Sequence, residues 1–418
     1  MKTPSKSAIA LSPFGGLRGL LIALLFWGCG GGTAEQPSFQ KSTPKAAGLE
    51  EQKLTYIDSA VRQSLLRGDM PGAVIAVVRH HKLAFLKAYG HKQVYPDTLP
   101  MATNTVFDLA SVSKSVSTAL SVMILLERGQ LRLQDNVSLY IPGFQPWTDS
   151  AGRRKQNIRI LDLLTHTSGL PPYAPVEELA KTYAFPHPEG LLEYISQVKR
   201  NNPPGTVFDY SCLNFITLQH IVQNISGSTL QRFAQQNIFQ PLGMHHTDYN
   251  PTGETLEWVA PTEIQPDGQP LRGKVHDPLA RLLNDGVSGN AGLFSNAEDL
   301  SLLAAMLLNE GEINGVRLLG PLTVQMMRSL PTGYEPFGRA LGWDVSSDYA
   351  SDGEIFHPSA YGHTGYTGTS ITIDPVSRTA VIILTNRVHP EDKGSLRRLR
   401  ETVANIVAGS IREVENGK

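Results

Sequence analysis

A serine hydroxyl becomes a nucleophile when a base can take its proton, and a lysine three residues later on a helix lies close enough to do so. The chain has four such Ser-x-x-Lys pairs: Ser38/Lys41, Ser42/Lys45, Ser111/Lys114 and Ser196/Lys199. The first two fall in a polar stretch where nothing can desolvate an amine, and the last precedes the polar, proline-rich run from Arg200 to Gly205. Ser111 differs. It opens a segment in which Val112, Val116, Ala119, Leu120, Met123 and Leu126 recur on one helical face, ended by Gly129. Ser111, Lys114, Ser115 and Thr118 form a polar stripe on that apolar helix, and polar groups there need partners or a cleft. Desolvation is expected to lower the Lys114 pKa so that it can take a proton, and the helix N-terminus favours the negative charge developing at Ser111. Taken alone, the pair also reads as a helix cap with a snorkelling lysine.

Other chemistries lack their residues. No Gly-x-Ser-x-Gly elbow occurs. Gly268 to Lys274 fits Gly-x4-Gly-Lys, but Val275 stands where Ser or Thr would hold magnesium. Gly362, Gly365 and Gly368 have the wrong spacing for a dinucleotide loop. The two cysteines, Cys29 and Cys212, form no CxxC pair, no HExxH helix is present, and no metal or other cofactor is expected. Lys plus Arg number 37 against 38 Asp plus Glu, a net charge of −1 that argues against a nucleic-acid partner.

The elements that must position Ser111 follow from hydrophobic periodicity. Leu54, Ile57, Ala60, Val61 and Leu65 make a helical stripe within Leu49 to Arg67. Ala73 to Val78 and Leu83 to Tyr89 read as strands joined at His80-His81, and Thr369 to Ile373 and Ala380 to Thr385 as a second pair around Asp374-Pro375. Helical patterns dominate from about 111 to 328, and a last helix runs from about Gly394 to Val414. Strands at both chain ends with helices between them predict an α+β (α/β) fold: an antiparallel sheet made from both chain ends, interrupted by a large, mostly helical insertion. At 418 residues, 41% hydrophobic and 18% charged, the chain is long enough to bury a large core.

The first residues read as a targeting segment. Lys2, Lys6 and Arg18 precede the short apolar run Gly19 to Trp27, which fits a signal peptide over 1–28. Gly28-Cys29 resembles a bacterial lipoprotein box, in which Cys29 receives the lipid; an ordinary cleaved signal and a retained anchor are the alternatives. Removal of 1–28 takes three basic and no acidic residues, leaving 34 against 38, or −4. A polar stretch over 29–48 is expected to be a flexible tether, and 49–414 the catalytic domain, with a sheet subdomain at about 49–108 and 330–414 and a helical subdomain at about 109–329.

Phe107-Asp108-Leu109-Ala110-Ser111-Val112-Ser113-Lys114 resembles the first motif of the serine β-lactamase and penicillin-recognising DD-peptidase superfamily, especially its class C branch. Tyr210-Ser211-Cys212 resembles that family's Tyr-x-Asn element, and His363-Thr364-Gly365 its Lys-Thr-Gly strand. Leu164 to Leu170 and Gly289 to Ser295 match supporting segments, so the resemblance spans roughly 50 to 413. It implies the β-lactamase/DD-peptidase-like fold, with Ser111 as acyl-accepting nucleophile, Lys114 and Tyr210 sharing the general-base task, and backbone N–H groups of Ser111 and Tyr366 forming an oxyanion hole. His363, Thr364 and Gly365 would line the strand beside the substrate, and Cys212 would take the place of a substrate-contacting amide.

Two departures stand out. Cys212 replaces an Asn that orients the lysine and the substrate amide, and a thiol is a poor hydrogen-bonding substitute. His363 replaces a lysine, so a permanent cation for a substrate carboxylate is lost at that position. His166 reads as structural. Val275-His276-Asp277 and Asn386 to Pro390 resemble a sub-branch holding D-alanyl-D-alanine carboxypeptidases and muropeptide amidases; His276 and Asp277 either line the acceptor side of the cleft or brace a loop. The expected activity is an acyl-enzyme hydrolase cutting amide bonds of peptidoglycan fragments in the periplasm, joined to the membrane through the lipid. A class C-like β-lactamase, an esterase of small acyl esters and a non-turnover β-lactam or muropeptide receptor are the rivals.

Overall fold

The structure, a computed structural model, describes residues 39–414. The signal segment and Cys29 lie outside the described residues. In chain order the elements that bear on the site are β1 (Gln40–Lys41), α1 (Tyr56–Arg67), β2 (Gly72–Arg79), β3 (Lys82–Gln93), α2 (Leu120–Glu127, preceded by wider π-type turns over Lys114–Ala119), α3 (Ile160–Leu164), α4 (Cys212–Ser226), α5 (Ala297–Leu308), β4 (Tyr361–Thr364), β5 (Ser370–Asp374), β6 (Thr379–Leu384) and α6 (Arg397–Ser410).

The sheet has the order β1-β3-β2-β6-β5-β4 and is antiparallel except where β1 joins β3. Both chain ends therefore build it, as the sequence predicts. All eight residues of β2 are buried because the strand is covered on both faces. Val74, Ala76 and Val78 point into the main core with α2, α4 and α5. Ala73, Ile75 and Val77 point the other way, against Ile57 and Val61 of α1 and Leu399, Val403 and Val407 of α6. The period of two thus sorts one apolar run into two cores.

Three expectations are corrected. The helix expected over Leu49 to Arg67 is split, Glu51–Leu54 being separated from α1 at Thr55. The helical insertion also carries short strands: Phe107–Asp108 and Asp248–Tyr249 both pair with Leu293–Ser295. Third, the tether ends earlier than 48. Gln40 and Lys41 pair with Lys82 and Leu83, Phe39 packs against the main core, and Lys41 Nζ lies 2.8 Å from the Glu298 carboxylate. The open edge of β3 and the apolar Phe39 explain why this polar stretch is held.

The same segment satisfies a buried charge. Arg79 is 4% exposed, and its guanidinium donates to Ala47 O at 2.8 Å and Glu413 O at 2.5 Å. A chain starting at residue 49 should melt several degrees below one starting at 39, because it loses β1 and the Ala47 acceptor, together roughly 3 kcal/mol. Thermal unfolding of the two chains checks this; equal midpoints would show that the segment contributes nothing.

Candidate active site

Ser111 sits where a strand turns into a helix. Phe107–Asp108 is tied to Leu293–Ser295, Leu109 N–H donates to Leu293 O, and Ala110 then takes a left-handed conformation with φ 45°. A non-glycine residue pays conformational strain there, on the order of 1 kcal/mol, and is held by its surroundings. The holding group is the Asp108 carboxylate, which accepts Ala110 N–H at 2.8 Å and His276 N–H at 2.7 Å. Helical turns begin immediately after Ser111, and Lys114 falls on the first of them.

Lys114 is fully buried. Its ammonium donates to Ser111 Oγ at 2.9 Å, Asn290 O at 2.8 Å and Cys212 Sγ at 3.7 Å. The rest of the polar stripe also finds partners, Ser115 donating to Gly342 O and Thr118 to Gly289 O. A snorkelling lysine is thereby excluded. The expected fall of the Lys114 pKa is overturned: burial pulls it down, but Cys212, Tyr210 and Asp277 outweigh burial and hold it above its ordinary value. Burial in turn pushes the Cys212 thiol up, against the pull of Lys114. The resting site therefore pairs an ammonium with a thiol.

Tyr210 precedes α4. Its N-terminus is capped by Ser211, whose Oγ accepts Leu213 N–H at 3.2 Å, and Cys212 is the first helical residue. The Tyr210 ring lies between His166 (centroids 4.4 Å apart) and Tyr349 (5.1 Å), with Lys114 Nζ 5.1 Å and the Arg339 guanidinium 5.7 Å from its centre. Lys114 and Tyr210 are close enough to influence each other electrostatically, yet the phenol oxygen makes no hydrogen bond of acceptable geometry among the described residues. The residue lines the cleft, and its phenol oxygen is buried. His166 is structural, as expected: its Nδ1 accepts Ser211 N–H at 3.1 Å, and burial holds the ring well below its ordinary pKa, hence neutral.

Opposite Ser111 runs β4, bearing His363 and Thr364. His363 Nδ1 faces Thr364 O at 2.9 Å and Nε2 faces Arg339 Nη2 at 3.3 Å, which makes Nδ1 the donor and Nε2 an acceptor. Burial and the neighbouring Arg339 and Lys114 charges keep the ring well below its ordinary pKa. The imidazole is neutral and occupied. Gly365 is required for close approach: a Cβ there would meet Thr369 Oγ1 at 2.2 Å and Leu109 O at 2.4 Å. Thr367 and Thr369 lash this turn to the Ser111 strand by donating to Asp108 O at 2.7 Å and Leu109 O at 2.8 Å. Ser111 and Tyr366 line one cleft, and neither backbone N–H is used by another group among the described residues.

That cleft, about 310 Å³, brings Ser111, Tyr210, His363, Thr364, Gly365 and Tyr366 together, with Lys114 and Cys212 behind them. It also brings in Arg387, from the Asn386 to Pro390 motif, and three arginines that sequence reasoning missed, Arg339, Arg397 and Arg400, against one lining acid, Asp344. Arg339 is fully buried, 2.8 Å from Asp344. Its signal was a cation beside the apolar Ala340-Leu341-Gly342-Trp343 run. Arg387 pairs with Asp392 and Arg397 with Glu401, whereas Arg400 donates only to Gly365 O and Thr369 O and has no acid partner among the described residues. His276 stacks on Tyr366 with centroids 5.6 Å apart, which puts it on the cleft rim, while Asp277 turns toward Asn290. Among the described residues no group of three or more His, Cys, Asp or Glu side chains is arranged to hold a metal.

Comparison with known proteins agrees with this geometry. The profile of the Beta-lactamase family matches residues 57–405. A protein of Escherichia coli (strain K12) named "Putative D-alanyl-D-alanine carboxypeptidase" is 32% identical over 395 residues, covering 88% of this chain and 90% of its own. A solved structure described as EstCE1, a hydrolase with promiscuous acyltransferase activity, superposes with a TM-score of 0.69 at 25% identity, over 86% of this chain and 99% of that one. The octameric penicillin-binding protein homologue from Pyrococcus abyssi shares the fold, with a TM-score of 0.63 at 20% identity over 80% and 73% of the two chains. The matched span takes in the Ser111 helix, the Tyr210 turn and the His363 strand together, and the chain accordingly belongs to the β-lactamase family, as a serine hydrolase.

Proposed function

We propose that the protein is a cell-envelope peptidase of the D-alanyl-D-alanine carboxypeptidase or muropeptide amidase type. The observation that carries this reading is Arg400. Its charge has no acid partner among the described residues, it sits beside the Gly365 carbonyl at the cleft, and burial lowers it only to about 10, so it stays cationic at neutral pH. A substrate ending in a carboxylate next to its scissile amide suits that cation, which replaces the one lost at His363. The name of the Escherichia coli relative points the same way.

The residues divide the chemistry as follows. Ser111 Oγ attacks the amide carbon, and its proton passes into the Lys114–Tyr210 pair. The oxyanion is held by the N–H groups of Ser111 and Tyr366. The C–N bond then breaks, and the amine leaves with the proton relayed through Tyr210. Water attacks the ester, gives its proton to the same pair, and releases the acid with Ser111 restored. With Lys114 an ammonium at rest, the pair accepts that proton only in the fraction of enzyme whose Lys114 has become the free amine, with Tyr210 beside it to relay the proton.

A peptide ending in D-Ala-D-Ala should lose its last residue on incubation, and its C-terminal amide should be cut more slowly. Ser111→Ala should abolish both the cleavage and labelling by a fluorophosphonate while the protein stays folded. Mass spectrometry of the peptide and gel fluorescence read the two outcomes; labelling of the alanine variant at the native rate would exclude Ser111 as nucleophile. EstCE1 favours a second reading, transfer or hydrolysis of small acyl esters, which p-nitrophenyl ester turnover exceeding peptide turnover would support.

Cys212 supplies the third acceptor to Lys114 at 3.7 Å, the place where the resemblance expects an amide. Cys212→Asn should raise the acylation rate with a chromogenic cephalosporin roughly tenfold or more, on the order of one hydrogen bond to a charged partner, ~1.5–3 kcal/mol. A folded asparagine variant that acylates no faster would show that sulfur is not limiting.

For localisation, the proposal includes a lipid on Cys29. No helix among the described residues is long and apolar enough to cross a membrane. Cys29→Ser should move the protein from the membrane fraction to the soluble periplasm, since no basic patch on a −4 chain would substitute for acyl chains. An unchanged membrane fraction rules the lipid out.

A further inference from the structure

A carboxylate that the chemistry above leaves idle is joined to Lys114 through Asn290. Asp277 Oδ2 accepts the Tyr173 hydroxyl at 3.1 Å, and Oδ1 accepts Ala280 N–H at 2.8 Å and Asn290 Nδ2 at 3.4 Å. Asn290 also takes the Lys114 ammonium on its backbone carbonyl at 2.8 Å. Ser288 Oγ donates to Asn290 Oδ1 at 2.6 Å, which turns the amide nitrogen toward Asp277. One residue thus bridges the carboxylate and the ammonium. The adjoining His276 N–H is fixed by the same Asp108 that holds Ala110.

Lys114 is faced by Ser111 from its own helix, by Tyr210 and Cys212 at the start of α4, and by Asn290 and Asp277 from the loops opposite, with His166, His363 and Arg339 further out. Asp277 in turn is faced by Tyr173, Asn290, Cys212 and the buried Asp108, with His276 next to it in the chain. Among the groups that face Lys114, Asp277 is the one carboxylate.

We infer that Asp277 is a positioning residue of the acylation step, the counter-charge that decides in which protonation state Lys114 meets Ser111; this rests on the reading of Ser111 and Lys114 proposed above. The upward shift of Lys114 has Asp277 among its causes. Removing the charge while keeping an acceptor favours the free amine, so the pH at which Lys114 changes state must fall.

The test is the pH dependence of the second-order rate at which a fluorophosphonate phosphonylates the enzyme, a step in which Ser111 Oγ bonds to phosphorus, fluoride leaves, and the hydroxyl proton enters the Lys114–Tyr210 pair. In Asp277→Asn the limb governed by Lys114 should move to lower pH by roughly one unit. Asp277→Glu, which returns the charge, should move it back, and Tyr173→Phe should leave it in place. Asp277→Ser is the second neutral variant should the asparagine form not fold. A folded neutral variant that is slower at every pH with its limb unmoved marks a brace only and overturns the inference. Peptide mass spectrometry separates the two levels. Ser111 modified with the limb unmoved overturns the role of Asp277 alone, whereas the phosphonyl group on another residue of the native enzyme overturns both.

Discussion

A buried ammonium governs this site. Lys114 has no access to solvent, and an ammonium moved from water to a protein interior costs several kcal/mol unless all of its N–H groups find acceptors. It has three donors and three acceptors, one local, Ser111 Oγ, and two from distant parts of the chain, Asn290 O and Cys212 Sγ. The charge therefore dictates where the 288–290 loop and the start of α4 must be. The loop is held by Thr118, which donates to Gly289 O, and by Gln219, whose Oε1 accepts Gly289 N–H at 2.8 Å. Gln219 belongs to α4, so the helix that offers Cys212 also fixes the loop that offers Asn290.

Displacing the permanent cation from β4 rearranges the charges around the cleft. With His363 neutral, its Nε2 lone pair is taken by Arg339, and Arg339 is itself balanced by Asp344. That trio is electrically quiet and rigid. It presses on the Tyr210 ring from one side while His166 stacks on it, so the phenol oxygen is aimed by packing instead of by a hydrogen bond. Attraction for an anion passes to the segment after β6, where Arg387, Arg397 and Arg400 converge on the cleft and Arg400 alone among them lacks an acid. The cleft thus combines a neutral histidine on β4 with an arginine on α6 that has no acid partner among the described residues.

What could be read from sequence follows the range of the forces. β2, β3, β5 and β6 were legible because long β-branched runs such as Ala73 to Val78 carry their own periodicity. β4 was legible only through the family resemblance: four residues with Gly362 among them are too few for a period to register. Ser111 stood out as the one Ser-x-x-Lys serine opening an apolar helix. The Lys114 charge state did not, because its determinants lie at positions 210, 212 and 277, and burial acting alone has the opposite sign. Arg339 was missed for a similar reason, since its meaning depends on His363 and Asp344. The polar stretch before residue 49 shows the limit of composition, which cannot reveal that a sheet edge is open.

The proposed oxyanion donors depend on a separate constraint, and it is a short one. Ser111 N–H follows the strained Ala110, and Tyr366 N–H follows Gly365, whose missing side chain admits Leu109 O. These backbones are not joined as neighbouring strands of the main sheet. They are joined by two threonine hydroxyls, Thr367 on Asp108 O and Thr369 on Leu109 O. The same Asp108 accepts Ala110 N–H and His276 N–H on its carboxylate. One aspartate and two threonines thus set the gap between the two N–H groups before any substrate arrives, and preorganised donors need no reorganisation when charge appears. Because both threonine contacts are made to backbone carbonyls, the side chains lining the cleft can change without moving the donors. That independence leaves the spacing of the two N–H groups unaffected by a histidine at 363 and a thiol at 212.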